Sequence, residues 1–190
     1  MSTIVAVRKE GLVVIGTDTL SSKGTLLVSS KYQKNYDKVH KIKDSYIGVV
    51  GSVAHHNVIE NIKKRYSKEI DLRNVDSIFE TFLKLHRRLR NEYYVNVHEE
   101  KDQEYESNQL HALIVNPQGI FEIHSYREVM EYAKFWSIGS GCEYALGALY
   151  SVYDSHNDAA VIAEIALNAA CEFDGPTGLP IKLYRIKLKK

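Results

Sequence analysis

The sequence is poor in the residues that break or staple chains. It holds three prolines in 190 residues, Pro117, Pro176 and Pro180. None interrupts a strongly periodic segment, so helices and strands can run unkinked. Its two cysteines, Cys142 and Cys171, are too few for a disulfide framework, and a reducing, cytoplasmic setting is expected. Neither sign of charge is in excess: 25 Lys and Arg stand against 24 Asp and Glu, a formal net charge of +1. That excludes nucleic-acid binding driven by bulk charge. No run approaches the ~20 apolar residues of a membrane span. Arg8, Lys9 and Glu10 interrupt the first apolar run after a few residues, which is not the pattern of a signal peptide. Neither a nucleic acid nor a membrane is therefore an expected partner.

What is present is a globular composition. Hydrophobic residues make up 44% of the chain, with no long linker and no internal repeat, so residues 1–190 read as one domain. Thr3 to Val7 and Leu12 to Gly16 read as strands joined by a Lys9-Glu10-Gly11 turn. Thr25 to Ser29, Val39 to Ile42 and Tyr46 to Val50 read as further strands. Ser52 caps an expected helix with Val58, Ile59 and Ile62 on one face. A second helix is expected from about Val75 to Tyr94, with Ile78, Phe79, Phe82, Leu85 and Leu89 at helical spacing. Val97 to Ser107 is acidic, polar and expected to be mobile.

Leu110 to Val115 and Gly119 to Ser125 form a second hairpin about Asn116-Pro117-Gln118-Gly119. A strand at Phe135 to Ile138, a helix from about Cys142, a helix capped by Asn157 or Asp158, and a last strand at Lys182 to Leu188 complete the order. Strands and helices come in blocks, which favours antiparallel sheets. Two sheets face to face with a helix pair on each outer side, a four-layer αββα sandwich of the α+β class, would bury every apolar face.

The N-terminus carries the chemistry. Met1 precedes a small residue, so its removal would leave Ser2 with a hydroxyl and a free α-amine on one residue. The amine, with an ordinary pKa of about 7.7–8.0, suits a base near neutral pH. An N-terminal amine that activates a hydroxyl is a known form of nucleophilic catalysis.

Five motifs follow in one order: Ser2-Thr3-Ile4-Val5-Ala6-Val7-Arg8; Gly16-Thr17-Asp18; Lys38-Val39-His40-Lys41-Ile42; Val50-Gly51-Ser52-Val53-Ala54; and Ile138-Gly139-Ser140-Gly141 with Tyr144-Ala145-Leu146. Together they resemble the proteasome β-subunit family, above all the bacterial HslV-type peptidases, which are N-terminal-nucleophile hydrolases. Asp18 lies 16 residues after Ser2, the family's spacing. The lysine match needs an insertion of a few residues within Ser29 to Asp37.

The resemblance implies that Ser2 attacks the scissile carbonyl, that Lys38 supplies positive charge beside it, and that Asp18 holds Lys38. It further implies that Gly51 aims its N–H at the oxyanion, a donor typically worth about 3–4 kcal/mol, and that Ser140 fixes the N-terminal amine. Thr3 is an alternative nucleophile if two residues were trimmed. Glu172 and Asp174 are both candidates for a further family aspartate in Cys171 to Gly178. Ser2 replaces the family's usual threonine and lacks the methyl that restrains the hydroxyl rotamer.

Also implied are a peptide or unfolded-protein substrate, a homo-oligomeric double ring, an ATPase unfoldase partner by analogy only, and no organic cofactor. Leu146, Leu149 and Tyr150 are candidates for an interface face. A catalytically silent ring subunit is the rival reading. A nucleotide-binding module based on Gly139-x-Gly141 lacks a third glycine, and a metal site at His55-His56 lacks a second cluster with ligand spacing, so a solvated helix start is expected there.

Overall fold

A computed structural model describes residues 2–189; the expected fate of Met1 lies outside the described residues. In chain order the elements are β1 (Thr3–Lys9), β2 (Leu12–Asp18), β3 (Ser21–Lys23), β4 (Leu26–Val28), β5 (Val39–Ile42), β6 (Ser45–Val50), α1 (Val53–Tyr66) and α2 (Val75–Glu92). Then come β7 (His111–Val115), β8 (Ile120–Ile123), β9 (Val129–Tyr132), β10 (Phe135–Gly139), α3 (Cys142–Val152), α4 (Ala159–Phe173) and β11 (Ile181–Lys187).

The near-continuous apolar runs of β1 and β2 signal strands covered on both faces. Val5, Val7 and Val14 point to α3 and α4, whereas Ile4, Ala6, Val13 and Ile15 point to the other sheet. The two strands are joined through Glu10 and Gly11, both at positive φ (46° and 74°), the geometry that a tight right-twisted hairpin requires.

β1 and β2 sit at the centre of an antiparallel sheet ordered β10-β1-β2-β11. The second sheet is ordered β5-β6-β7-β8-β9, again antiparallel throughout. A core layer lies between the sheets, α1 and α2 cover the five-stranded sheet, and α3 and α4 cover the four-stranded one. The αββα arrangement is thus present, with no helix long and apolar enough to cross a membrane among the described residues.

Helix α2 is held by Ile78, Phe82, Leu85 and Leu89, all buried. Each contributes on the order of 1.5–3 kcal/mol by burial. Phe79, expected on the same stripe, is instead exposed. The caps are as the sequence suggests: Ser52 Oγ accepts from Ala54 N–H at 3.2 Å, and Asp158 Oδ1 accepts from Ala160 N–H at 2.7 Å.

Four local features differ from expectation. The strand near Thr25 is shorter and pairs with β3 as a separate hairpin. The edge strand β9 carries Glu131 amid a weak pattern and was not expected. The segment from Val97 to Ser107 is closed on itself, Ser107 N–H bonding Val97 O at 3.0 Å, and Ser107 is fully buried. Leu149 of the proposed interface stripe is core, while Tyr150 is exposed.

The register brings several chain ends together. Thr3 pairs with Gly139, the last residue of β10, and Asp18, the last of β2, pairs with Ile181, the first of β11. On the other sheet Lys38 immediately precedes β5 and Gly51 immediately follows β6. Val49 N–H bonds Lys38 O at 3.1 Å, which aligns those two ends.

Candidate active site

At this shared end the Asp18 carboxylate is wholly buried and accepts four donors. Oδ1 takes Lys38 Nζ at 2.7 Å and Thr3 N–H at 3.1 Å. Oδ2 takes Leu20 N–H at 3.1 Å and Gly178 N–H at 3.2 Å. All its lone-pair positions are thereby used, as a buried carboxylate requires. Lys38, 5% exposed, also donates to Leu20 O at 2.7 Å. Burial pushes the Lys38 ammonium below its ordinary pKa, and the Asp18 charge pulls it back up.

Ser2 is 4% exposed, yet it lines a cavity of about 310 Å³ together with Lys38 and Gly51. Its carbonyl accepts Ser140 N–H at 2.9 Å. Gly139 makes that approach possible: its φ is +101°, and a Cβ there would stand 1.9 Å from Ser2 O. Gly51, at φ +104°, turns the chain out of β6 at the cavity wall.

Ser140 Oγ donates to Asp174 Oδ2 at 2.7 Å, and Thr177 Oγ1 donates to the same oxygen at 2.5 Å. Having given its only proton to Asp174, Thr177 must accept from Thr3 Oγ1, 2.7 Å away. The Thr3 hydroxyl is therefore committed inside the protein. Glu172 is exposed.

The fold thus gathers Ser2, Asp18, Lys38, Gly51, Ser140 and Asp174 at one end of the sandwich, with Thr3 beneath and Glu172 turned outward. Leu20, Thr177 and Gly178 complete the hydrogen bonding and were not expected. Their contribution is a backbone group or a short hydroxyl, which no spacing in the sequence announces. Gln33, another cavity-lining residue, keeps its buried Oε1 without a partner among the described residues.

The histidines at the start of α1 are not a solvated pair. His56 lines the cavity, and its Nδ1 lies 3.0 Å from His40 Nε2, because α1 leans on β5. Burial, then the His40 and Lys38 charges, lower its pKa to about 4. Cys171 is close enough to sense Asp18 and Lys38, but burial pushes its thiol up to about 11, leaving it protonated and poorly nucleophilic. A larger groove of about 960 Å³, walled by Val75, Phe79, Leu83, Tyr105 and Val129, contains none of these groups.

The sequence model of the family described as "Proteasome subunit" matches residues 1–186. The chain belongs to the proteasome subunit family. Among solved structures, this proteasome-family subunit is similar to Thiobacillus denitrificans BPH, with 34% identity, a TM-score of 0.92 and 98% of each chain covered. It is equally similar to the same protein in complex with epoxomicin, with 34% identity, a TM-score of 0.92, and 99% of this chain and 100% of that one covered. Eukaryotic HslV from Trypanosoma brucei matches with a TM-score of 0.74 at 20% identity, over 97% of this chain and 99% of that one, a likeness of fold. No curated protein matches by sequence.

Proposed function

We propose that the chain is an N-terminal-nucleophile peptidase subunit of a self-compartmentalising, proteasome-like ring, with Ser2 as the nucleophile. The observation that carries this reading is the buried Lys38–Asp18 pair, whose Lys38 lines the same cavity as Ser2. A buried ammonium next to a hydroxyl stabilises the developing alkoxide, and the four-donor cradle of Asp18 keeps the ammonium in place.

Once Met1 is removed, the Ser2 Oγ–H proton passes to the α-amine, directly or through a water, as Oγ bonds to the scissile carbonyl carbon. The Gly51 N–H stabilises the oxyanion. Collapse of the tetrahedral species breaks the C–N bond, and the amine returns the proton to the leaving nitrogen. The ester on Ser2 is then cleaved by water through the same groups in reverse. No organic cofactor takes part in these steps. Thr3 is a poorer nucleophile in this reading, because its hydroxyl is bonded to Thr177.

The peptide substrate, the double ring of identical subunits and the cytoplasmic setting belong to the same proposal and are supported by family membership. An ATPase unfoldase partner is supported by analogy alone. The absence of the threonine methyl at Ser2 favours slower turnover, and in the extreme a silent ring subunit.

The test couples intact mass with active-site labelling. Protein that has lost Met1 is expected to react with epoxomicin or a peptide β-lactone at Ser2, whereas Ser2→Ala and Lys38→Ala are not. Labelling that persists in Ser2→Ala overturns the assignment. Processed, folded protein that resists every probe is the silent subunit. Sedimentation showing only monomer at micromolar concentration overturns the ring.

A further inference from the structure

Away from the cavity, strands β7 and β8 assemble a second cluster of polar side chains that the proposed peptidase chemistry does not use. The register pairs Ala112 with Ile123 and Leu113 with Glu122, so His111 falls opposite His124, with Glu122 on the diagonal. By strand alternation His111 shares the face of Leu113 and Glu122 the face of Ile120, the side toward the other sheet, and His124 follows directly after β8. The two imidazoles stack, with centroids 4.4 Å apart. Both turn Nε2 onto one oxygen: His111 Nε2 is 2.7 Å and His124 Nε2 is 3.1 Å from Glu122 Oε1. The three donor atoms lie within 4.8 Å of one another.

Two imidazole nitrogens and one carboxylate oxygen converging on one point form a donor set that a single divalent cation can bridge. Atoms that share one zinc at about 2.0–2.1 Å stand roughly 3–3.5 Å apart, so small side-chain rotations bring all three onto one ion. The support behind the carboxylate is also in place. Tyr132 O–H donates to Glu122 Oε2, and the Tyr132 ring stacks on Trp136 of the facing sheet at 4.3 Å. Carboxylate ligands of metals are characteristically held by such outer hydrogen bonds. Glu122 is 2% exposed, whereas both histidines reach solvent on one side, leaving a route for an ion and room for a water ligand.

We propose that His111, Glu122 and His124 form a binding site for a divalent transition metal, zinc in the first instance, with two imidazoles, one carboxylate and an open position filled by water. The set suits zinc by ligand type. Its place in the fold gives it a consequence: His111 pairs across the sheet with Val50, the residue before Gly51. Bound metal would clamp the end of the β7–β8 pair beside the strand end that leads into the cavity. The proposal is independent of the peptidase reading, since it needs no active nucleophile.

The test is calorimetric titration of untagged, chelator-treated protein with zinc at neutral pH, with the melting temperature and the visible spectrum of the cobalt form as second readouts. One zinc per chain is expected, with a raised melting temperature and a cobalt absorption of low-symmetry, near-tetrahedral type. His111→Ala and His124→Ala are expected to weaken binding by at least about 100-fold and abolish the cobalt band. Tyr132→Phe, which keeps the ring stacked on Trp136 and removes the hydroxyl that bonds the outer carboxylate oxygen, should weaken it about tenfold. His156→Ala should change nothing. Because both ligand histidines are partly exposed, their variants are expected to keep the wild-type circular dichroism. Should either misfold, the wild-type stoichiometry and cobalt spectrum still decide. Absence of stoichiometric zinc on the wild type, or binding undiminished in folded His111→Ala/His124→Ala, overturns the site.

Discussion

Lys38 Nζ meets Asp18 Oδ1 at 2.7 Å across the two sheets of the sandwich, with Asp18 wholly buried and Lys38 nearly so. Lys38 stands at the head of β5 and Asp18 at the foot of β2, so the bond links strands of different sheets. Asp18→Asn would leave the ammonium buried without its counter-charge. The expected loss is about 3–5 kcal/mol of unfolding free energy, read as a lower urea midpoint at unchanged slope, together with loss of labelling at Ser2. The double variant Asp18→Asn/Lys38→Met should be more stable than Asp18→Asn alone, since it removes the stranded charge. A double variant no better than the single would show that the pair is not the source of the loss.

Gly139→Ala tests the close approach at the N-terminus. The added Cβ would meet Ser2 O at 1.9 Å, on a backbone at φ +101°, and neither partner can yield without breaking the Ser140–Ser2 bond. A cost of about 2 kcal/mol or more is expected, with Ser2 labelling falling by an order of magnitude or more. By contrast Gly147→Ala, with open space at its Cβ, should be neutral or slightly stabilising.

The acid side of the stability profile should carry a His56 contribution. Its folded pKa is lowered from 6.5 to about 4 by burial and by the neighbouring His40, Lys38 and His55, against a weaker opposing pull from Asp37. Between those two values the unfolded chain binds a proton that the folded chain does not. Stability is therefore lost as pH falls from about 6.5 to about 4 and is fully present above 6.5. Denaturation midpoints measured across this range should show a shallower slope for His56→Gln than for the wild type.

Asp174 gathers two hydroxyls at one oxygen, from Ser140 and Thr177. Asp174→Asn should cost about 1–2 kcal/mol and slow labelling at Ser2 by loosening Ser140. Glu172→Gln, on an exposed side chain, should leave both quantities unchanged. Equal effects from the two substitutions would remove the distinction drawn between them.

Much of this was legible from residue patterns, for identifiable reasons. β1 and β2 announced themselves because strands covered on both faces need unbroken apolar runs, and the caps at Ser52 and Asp158 because helix ends need a side-chain acceptor. Asp18 stood out because a charge leaving a buried strand requires a partner, whereas Lys38 was singled out by the family resemblance of its segment alone. Thr177 and Gly178 did not, because one short hydroxyl and one backbone N–H leave no periodic mark. His111, Glu122 and His124 were illegible for another reason: the first and second stand eleven positions apart, and only the β7–β8 register brings them together. His56 was misjudged as solvated because the packing of α1 on β5 is a tertiary fact that a helix wheel does not contain.

The bond between Lys38 and Asp18 also sets when during folding the proposed chemistry can begin. Each partner belongs to the end of a different sheet, so a chain that has formed either sheet alone has the ammonium or the carboxylate, but not both in place. Only closure of the sandwich delivers the charge to Ser2. In the proposed mechanism a nascent or partly unfolded subunit would therefore lack the charge that activates Ser2 until its two sheets have met.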